Sequence, residues 1–197
     1  NVKITESGAT LCGLNPGDQM TMDQALHILL LQSANDVAVM IAEGVAGSVD
    51  AFVALMNEEA ARIGATNSSF TNPPGLTEDG HYMTAYDMYL IFLEALQYEL
   101  FNQIIQMSTY TTTYRDRNGG EKTLDLKNSN SYLRGTWELP DNVTVIGGKT
   151  GTTTAAGSCL VLLSKGSDGT PYISIILKAS SGDQLYTDMN RLLNTIK

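Results

Sequence analysis

Basic residues are scarce in this 197-residue chain. Twelve lysines and arginines face twenty-one aspartates and glutamates, which leaves a net charge of −9. That balance argues against nucleic acid and anionic membrane surfaces as main partners, because both are held through positive faces. Cysteine and histidine are scarcer still, at two each. No His/Cys cluster has metal-ligand spacing, His27 and His81 stand alone, and neither metal nor cofactor is expected. Cys12 and Cys159 lie far apart and are expected to be free, buried thiols rather than a disulfide. His27 falls inside an apolar helical run and reads as a packed core residue. No apolar run reaches 18 residues, so no transmembrane helix is expected. No secretory signal is visible either. With Asn1 in place of a Met, the chain is expected to be a fragment or a mature product.

The material for a core is present. Hydrophobic residues make up 43% of the chain, a globular rather than a disordered composition, and the length suits one domain or two small ones. A short strand is expected at Val2–Thr5. Thr21 and Gln24 form a capping box, and the run from Ala25 to Leu31, apolar nearly all round, predicts a buried helix. Asp36 is placed to cap a second helix over Val37–Val45, ended by Gly47. Ser48 caps a third that runs to about Ile63, with Phe52, Leu55, Met56 and Ile63 at helical spacing and Gly64 as its stop. After an irregular stretch from Ala65 to His81, Thr84 opens a helix. Asp87 sits at its capping-box position, and Met88, Ile91, Phe92 and Leu96 face a core. A short helix is expected over Leu100–Ile105.

The pattern then changes. Thr109–Tyr114 and Lys122–Leu126 flank Asn118-Gly119-Gly120 and predict a hairpin. Val143–Lys149, Cys159–Ser164 and Tyr172–Lys178 predict an antiparallel meander. Asp183 is expected to cap a last helix with Leu185, Met189, Leu192, Leu193 and Ile196 on one face. This order predicts an α+β fold: a helical region over about 14–106, then a hairpin, an antiparallel sheet and a terminal helix over about 107–197.

Three polar stretches interrupt this frame. Gly147-Gly148-Lys149-Thr150-Gly151-Thr152 carries one cation, two hydroxyls and three glycines. On a strand edge such a set can grip a carboxylate and present backbone N–H groups to a carbonyl. A strand end with a solvated Lys has the same composition. Ser33-Ala34-Asn35 falls between two buried helices, where it either faces a cleft or caps locally. Asn128-Ser129-Asn130 either lines a cleft or forms a loop.

Taken in order, Ser33-Ala34-Asn35 and Lys149-Thr150-Gly151 resemble two of the three motifs of the penicillin-binding protein and serine β-lactamase superfamily. The likeness extends to the low-molecular-mass D-alanyl-D-alanine carboxypeptidases (peptidase family S11). It is carried by Leu14-Asn15-Pro16-Gly17-Asp18, by Leu29 through Asp36, and by Ala65 through Leu76. Thr84-Ala85-Tyr86-Asp87-Met88, Gly148-Lys149-Thr150-Gly151 and Ala156-Gly157 complete it. The resemblance implies a DD-peptidase fold and acyl transfer at the bond between two terminal D-alanines of a peptidoglycan pentapeptide, with β-lactams as inhibitors. By position it implies that Ser33 relays a proton, that Asn35 holds the substrate's amide and supports the catalytic lysine, and that Lys149 supplies positive potential beside Ser33. Thr150 and Thr152 would bind the terminal carboxylate beside Gly151, and the Thr152 N–H would form half of an oxyanion hole. The resemblance also implies an extracytoplasmic, cell-envelope location, with any membrane anchor beyond Lys197.

One motif of that family is missing. None of the serines has a Lys three positions on, so the Ser-x-x-Lys pair that supplies nucleophile and base is not in these residues. In the family that motif lies several dozen residues before Ser33. The chain is therefore expected to be a partial domain without the N-terminal strands and the catalytic helix. A truncated enzyme, one piece of a nicked protein and a non-catalytic peptidoglycan-binding module all fit. The isolated chain is expected to be inactive, and to self-associate through apolar surface which that helix would cover. A β-lactamase of the same superfamily is the other alternative. Against it, no Glu-x-x-Leu-Asn-like segment is present, and Ser-Ala-Asn stands where class A enzymes have Ser-Asp-Asn.

Overall fold

Helix α1 (Met22–Gln32) starts where its signals lie. Thr21 Oγ1 accepts from the Gln24 N–H at 3.2 Å, and Gln24 Oε1 accepts from the Thr21 N–H at 2.9 Å. The computed structural model describes Ile4 and residues 6–197; the strand expected at Val2–Thr5 otherwise lies outside the described residues. In α1, His27 is buried, stacks on Tyr110 at 4.0 Å and places Nδ1 2.8 Å from the Asp23 carbonyl, the packed role expected of it.

Helix α2 (Asn35–Ala46) follows α1 after two intervening residues and ends at Gly47 in the left-handed region. Its N-cap is Ala34, not Asp36, and no side chain caps it. Asp36 lies in the first turn and accepts instead from the N–H groups of Cys12, Gly13 and Leu14 at 2.9, 2.9 and 3.1 Å. Three donors from a distant turn outweigh the local cap, and the carboxylate gains from the helix N-terminus as well. Helix α3 (Val49–Arg62) is capped by Ser48, whose Oγ accepts from the Ala51 N–H at 3.1 Å. Leu55, expected in its apolar stripe, is instead 47% exposed.

Helix α4 (Ala85–Ala95) is capped by Thr84, but Asp87 does not complete a capping box. Its side chain is fully buried and accepts from the Asn67 N–H (2.8 Å) and the Ser68 hydroxyl (2.7 Å), tying the irregular stretch to the helix. Helix α5 (Glu99–Ile105) closes the helical part.

Strands β1 (Thr109–Arg115) and β2 (Glu121–Lys127) form the expected hairpin. Strands β3 (Val143–Thr153), β4 (Gly157–Gly166) and β5 (Pro171–Ala179) form an antiparallel sheet in that order. β3 runs four residues past the expected Lys149, because Thr150, Thr152 and Thr153 favour strand and stay paired with Leu160, Ser158 and Gly157. Helix α6 (Gly182–Leu193) covers one face, packing Leu185, Met189 and Leu193 on Leu160 and Leu162. Its cap is Ser181 rather than Asp183. Leu185, Met189 and Leu193, four apart, already fill its inner stripe, which leaves Leu192 37% exposed.

Among the described residues the packing leaves a strand edge and a groove open. β3 lies at an edge of its sheet among the described residues. Between α1, α3, α4 and α5 an apolar groove of about 630 Å³ stays open, lined by Leu26, Leu30, Met56, Ile91, Leu100 and Ile104. Cys12 and Cys159 are both free, but half-buried rather than buried. Desolvation, aided by the Asp36 charge, pushes the Cys12 thiol up to about 11.

Candidate active site

The end of α1 departs from local preference. Ser33 is its C-cap and takes φ 59, ψ 41, with its N–H bonded to the Leu29 carbonyl at 3.0 Å. Gly or Asn is the usual occupant of this left-handed region; a serine there costs on the order of 1 kcal/mol. This conformation turns the chain sharply between α1 and α2 and leaves the Ser33 hydroxyl beside β3. There the Lys149 Nζ donates to Ser33 Oγ, and it donates also to the Thr150 carbonyl at 2.8 Å. Residues 116 apart in sequence thus meet across the join of helices and sheet.

The three glycines of the β3 stretch divide their roles. A Cβ on Gly147 would lie 2.8 Å from the Ile105 carbonyl oxygen, and one on Gly148 would overlap the Val161 carbonyl. These two glycines let α5 and β4 press on the strand. A Cβ on Gly151 would meet nothing within 4 Å. Gly151 faces open space, and its missing side chain leaves room for a ligand.

Beside it, the Thr150 hydroxyl donates to Ser129 Oγ at 2.5 Å, and the Ser129 N–H is held by the Leu31 carbonyl at 3.1 Å. Ser129 belongs to the site although neither charge nor spacing singled it out. The one signal was its place in Asn128-Ser129-Asn130. The flanking asparagines are buried scaffold: Asn128 Nδ2 donates to the Met107 carbonyl at 2.8 Å, and Asn128 Oδ1 accepts from the Asn130 N–H at 2.9 Å. Asn35 reaches the same space, its Nδ2 donating to the Thr10 carbonyl at 2.9 Å.

All six expected site residues (Ser33, Asn35, Lys149, Thr150, Gly151 and Thr152) line one cavity of about 590 Å³. Glu6 to Thr10 and Pro74–Leu76 complete its rim, joined where Glu6 accepts from the Thr77 N–H at 2.9 Å, and sequence reasoning had not placed them there. Among the described residues no carboxylate pairs with Lys149, and desolvation pushes its ammonium down to about 8. A cation taken from water without a counter-ion favours an anionic ligand, because the ligand supplies the missing charge. Among the described residues no three His, Cys, Asp or Glu side chains gather as a metal site. The cavity offers a cation, hydroxyls that include those of Ser33, Ser129, Thr150 and Thr152, and an open backbone edge, a set suited to holding a peptide carboxylate and polarising the carbonyl next to it.

A family model, D-alanyl-D-alanine carboxypeptidase (peptidase S11), matches residues 2–181. D-alanyl-D-alanine carboxypeptidase DacF of Bacillus subtilis is 34% identical over 98% of this chain and 48% of its own length. DacC of Escherichia coli is 31% identical over 94% of this chain and 43% of its own. The chain thus spans about half the length of these relatives or less. The crystal structure of the Streptomyces K15 DD-transpeptidase superposes with a TM-score of 0.85 at 26% identity, covering 94% of this chain and 71% of that one. Its mixed helical and antiparallel-sheet architecture is the one described above. With a site of this geometry and a family match across nearly its whole length, the chain belongs to the peptidase S11 family of D-alanyl-D-alanine carboxypeptidases.

Proposed function

We propose that these residues form the substrate-gripping wall of a serine-type D-Ala-D-Ala carboxypeptidase that acts on peptidoglycan stem peptides in the cell envelope. The observation that carries this reading is the Lys149–Ser33 hydrogen bond inside a cavity walled by Thr150, Gly151 and Thr152. The peptide lies along the free edge of β3. Its terminal carboxylate is held by the Thr150 and Thr152 hydroxyls in the field of Lys149. The Thr152 N–H points its dipole at the scissile carbonyl oxygen, where one lost donor costs on the order of 3 kcal/mol of barrier. The Asn35 side-chain oxygen, which has no partner among the described residues, accepts from the substrate's amide N–H. Ser33, hydrogen-bonded to Lys149, passes a proton to the leaving amine as the C–N bond breaks. Water then hydrolyses the acyl-enzyme. β-Lactams present the same carboxylate and carbonyl and acylate the same nucleophile.

That nucleophile comes from outside the 197 residues, which contain no Ser-x-x-Lys. The isolated chain is expected to be inactive. The same lack favours one second reading, a non-catalytic module that only binds peptidoglycan. Fluorescent penicillin labelling of the full-length protein separates the two. A labelled band is expected, and its absence would sink the enzyme reading. The isolated 197-residue chain should take no label.

A further inference from the structure

The loop from Ser69 to Tyr82 carries Pro74–Leu76 to the cavity rim. Its base is closed by two backbone hydrogen bonds between Ser69 and Tyr82, at 2.9 and 3.0 Å. One residue further in, Phe70 is fixed to α3. Asn57 Oδ1 accepts from its N–H at 3.0 Å, and Asn57 Nδ2 donates to its carbonyl at 2.8 Å. The tip is shaped by its own side chain. Asn72 Oδ1 accepts from the Gly75 and Leu76 N–H groups at 2.9 and 3.0 Å, and Asn72 Nδ2 donates to the Leu76 carbonyl at 3.1 Å. Beyond the tip, the Thr77 N–H donates to Glu6 on the other side of the rim at 2.9 Å. Thr71 links the fixed base to the tip.

His81 holds Thr71. The Thr71 N–H donates to His81 Nδ1 at 3.1 Å. A backbone N–H can only donate, so this bond fixes the tautomer: Nδ1 carries the lone pair and the ring proton sits on Nε2. The Thr71 hydroxyl lies 3.3 Å from Nδ1 and donates to Glu78 Oε2 at 2.9 Å; Asn72 Nδ2 donates to the same oxygen at 2.8 Å. The His81 backbone N–H donates to the Glu78 carbonyl at 3.0 Å, which keeps the ring in register with this network.

A proton on Nδ1 undoes the arrangement. Two donors would then face each other across the Thr71–His81 contact. A turn of the ring toward the Thr71 hydroxyl would satisfy the new proton and still leave the Thr71 N–H unmet. The ring has the edge of Phe70 against it at 5.7 Å between centroids, and Glu78 is the charged group beside it. Desolvation pushes the imidazole below its ordinary 6.5, against the smaller pull of the Glu78 charge toward imidazolium. The bond is therefore complete at neutral pH and is lost as the pH falls through the folded value.

We propose that His81 is a positioning residue for the substrate cavity: unprotonated, it holds the Pro74–Leu76 rim in place through Thr71, and its protonation releases that rim. On the carboxypeptidase reading, on which this rests, the peptide then loses one wall of its cavity, and acid slows the reaction through His81.

Amide hydrogen exchange of the full-length protein, corrected for the intrinsic pH dependence of exchange and followed from about pH 8 to about pH 4.5 alongside NMR of the His81 ring nitrogens, tests the proposal. Gly75 and Leu76 should lose at least about threefold in protection over the range in which Nδ1 gains its proton. In His81→Asn the side-chain oxygen takes the place of Nδ1 and does not titrate, so protection should stay high throughout; in His81→Ala it should be low throughout. The ratio of wild-type to His81→Asn penicillin acylation rates should fall at least about threefold over the same range, a comparison that cancels the other titrating groups. Wild-type protection that holds while Nδ1 is protonated overturns the proposal, as does full protection in the alanine variant or an acylation ratio independent of pH. A wild type that penicillin does not acylate at any pH would instead break the carboxypeptidase reading, while the exchange result would still decide whether His81 holds the rim.

Discussion

Two hollows of nearly equal size flank helix α1, about 590 Å³ on the side of Leu29 and Ser33 and about 630 Å³ on the side of Leu26 and Leu30. Volume does not tell them apart; what the walls cost does. The apolar groove is lined by Met56, Phe70, Ile91 and Ile104, side chains that leave water gladly. The polar cavity holds a desolvated ammonium at Lys149, a serine in the left-handed region at Ser33 and a glycine with nothing beside it at Gly151. A fold keeps such features only where the surroundings over-determine them, and they cluster at functional sites. On the function proposed above, the substrate site lies on the Ser33 side of α1, and the contrast in wall chemistry is what supports that reading.

The largest effect should fall on the apolar side. Ile104 is fully buried and lines the groove, so Ile104→Ala should cost about 2–5 kcal/mol in chemical denaturation. It should leave the pH response of the polar side unchanged.

Lys149→Met should act the opposite way. Losing the cation should slow penicillin acylation of the full-length protein roughly a hundredfold, equivalent to about 3 kcal/mol. Stability should not fall with it. The folded pKa of Lys149 lies below its ordinary 10.5, at about 8. Between those values the unfolded chain binds more protons, so wild-type stability rises with pH across that window. Below it the folded state carries the full cost of a desolvated cation. Lys149→Met removes that cost and flattens the slope, which denaturation at about pH 7 and about pH 10 would reveal.

The glycines sharpen the comparison on a smaller scale. Gly147→Ala drives a methyl into Ile105 and should cost about 1–3 kcal/mol. Gly151→Ala meets no protein atom, so the melting temperature should hold while acylation slows. Equal melting-temperature losses in the two would contradict this division. The smallest effect is expected at Ser33. Ser33→Gly relieves the positive φ and should raise stability by about 1 kcal/mol while acylation falls.

Much of the fold was legible because its signals are local. Thr21 with Gln24, Ser48 at α3 and the Asn118–Gly120 turn each act over a few residues, and each fell where expected. The misreadings share a cause. Asp36 and Asp87 sit at capping positions, but their carboxylates are claimed by N–H and hydroxyl groups 19 to 24 residues away. Spacing along one helix cannot reveal such donors. The site behaved likewise. Ser33 and Lys149 stood out as motif residues. Ser129 is defined only by the strand folded against it, and sequence read it equally well as loop. That Gly147 packs while Gly151 stays open was invisible too, since both are the same letter in one run.

Binding of a peptide ending in D-Ala-D-Ala to the full-length protein, compared with the same peptide as its C-terminal amide, tests the central claim most directly. If Lys149 and its hydroxyl neighbours hold the terminal carboxylate, the acid should bind at least about tenfold tighter than the amide at about pH 7. That advantage should shrink as the pH rises through about 8 and Lys149 loses its proton. Equal affinities for acid and amide, or an advantage unchanged at about pH 9, would contradict the account.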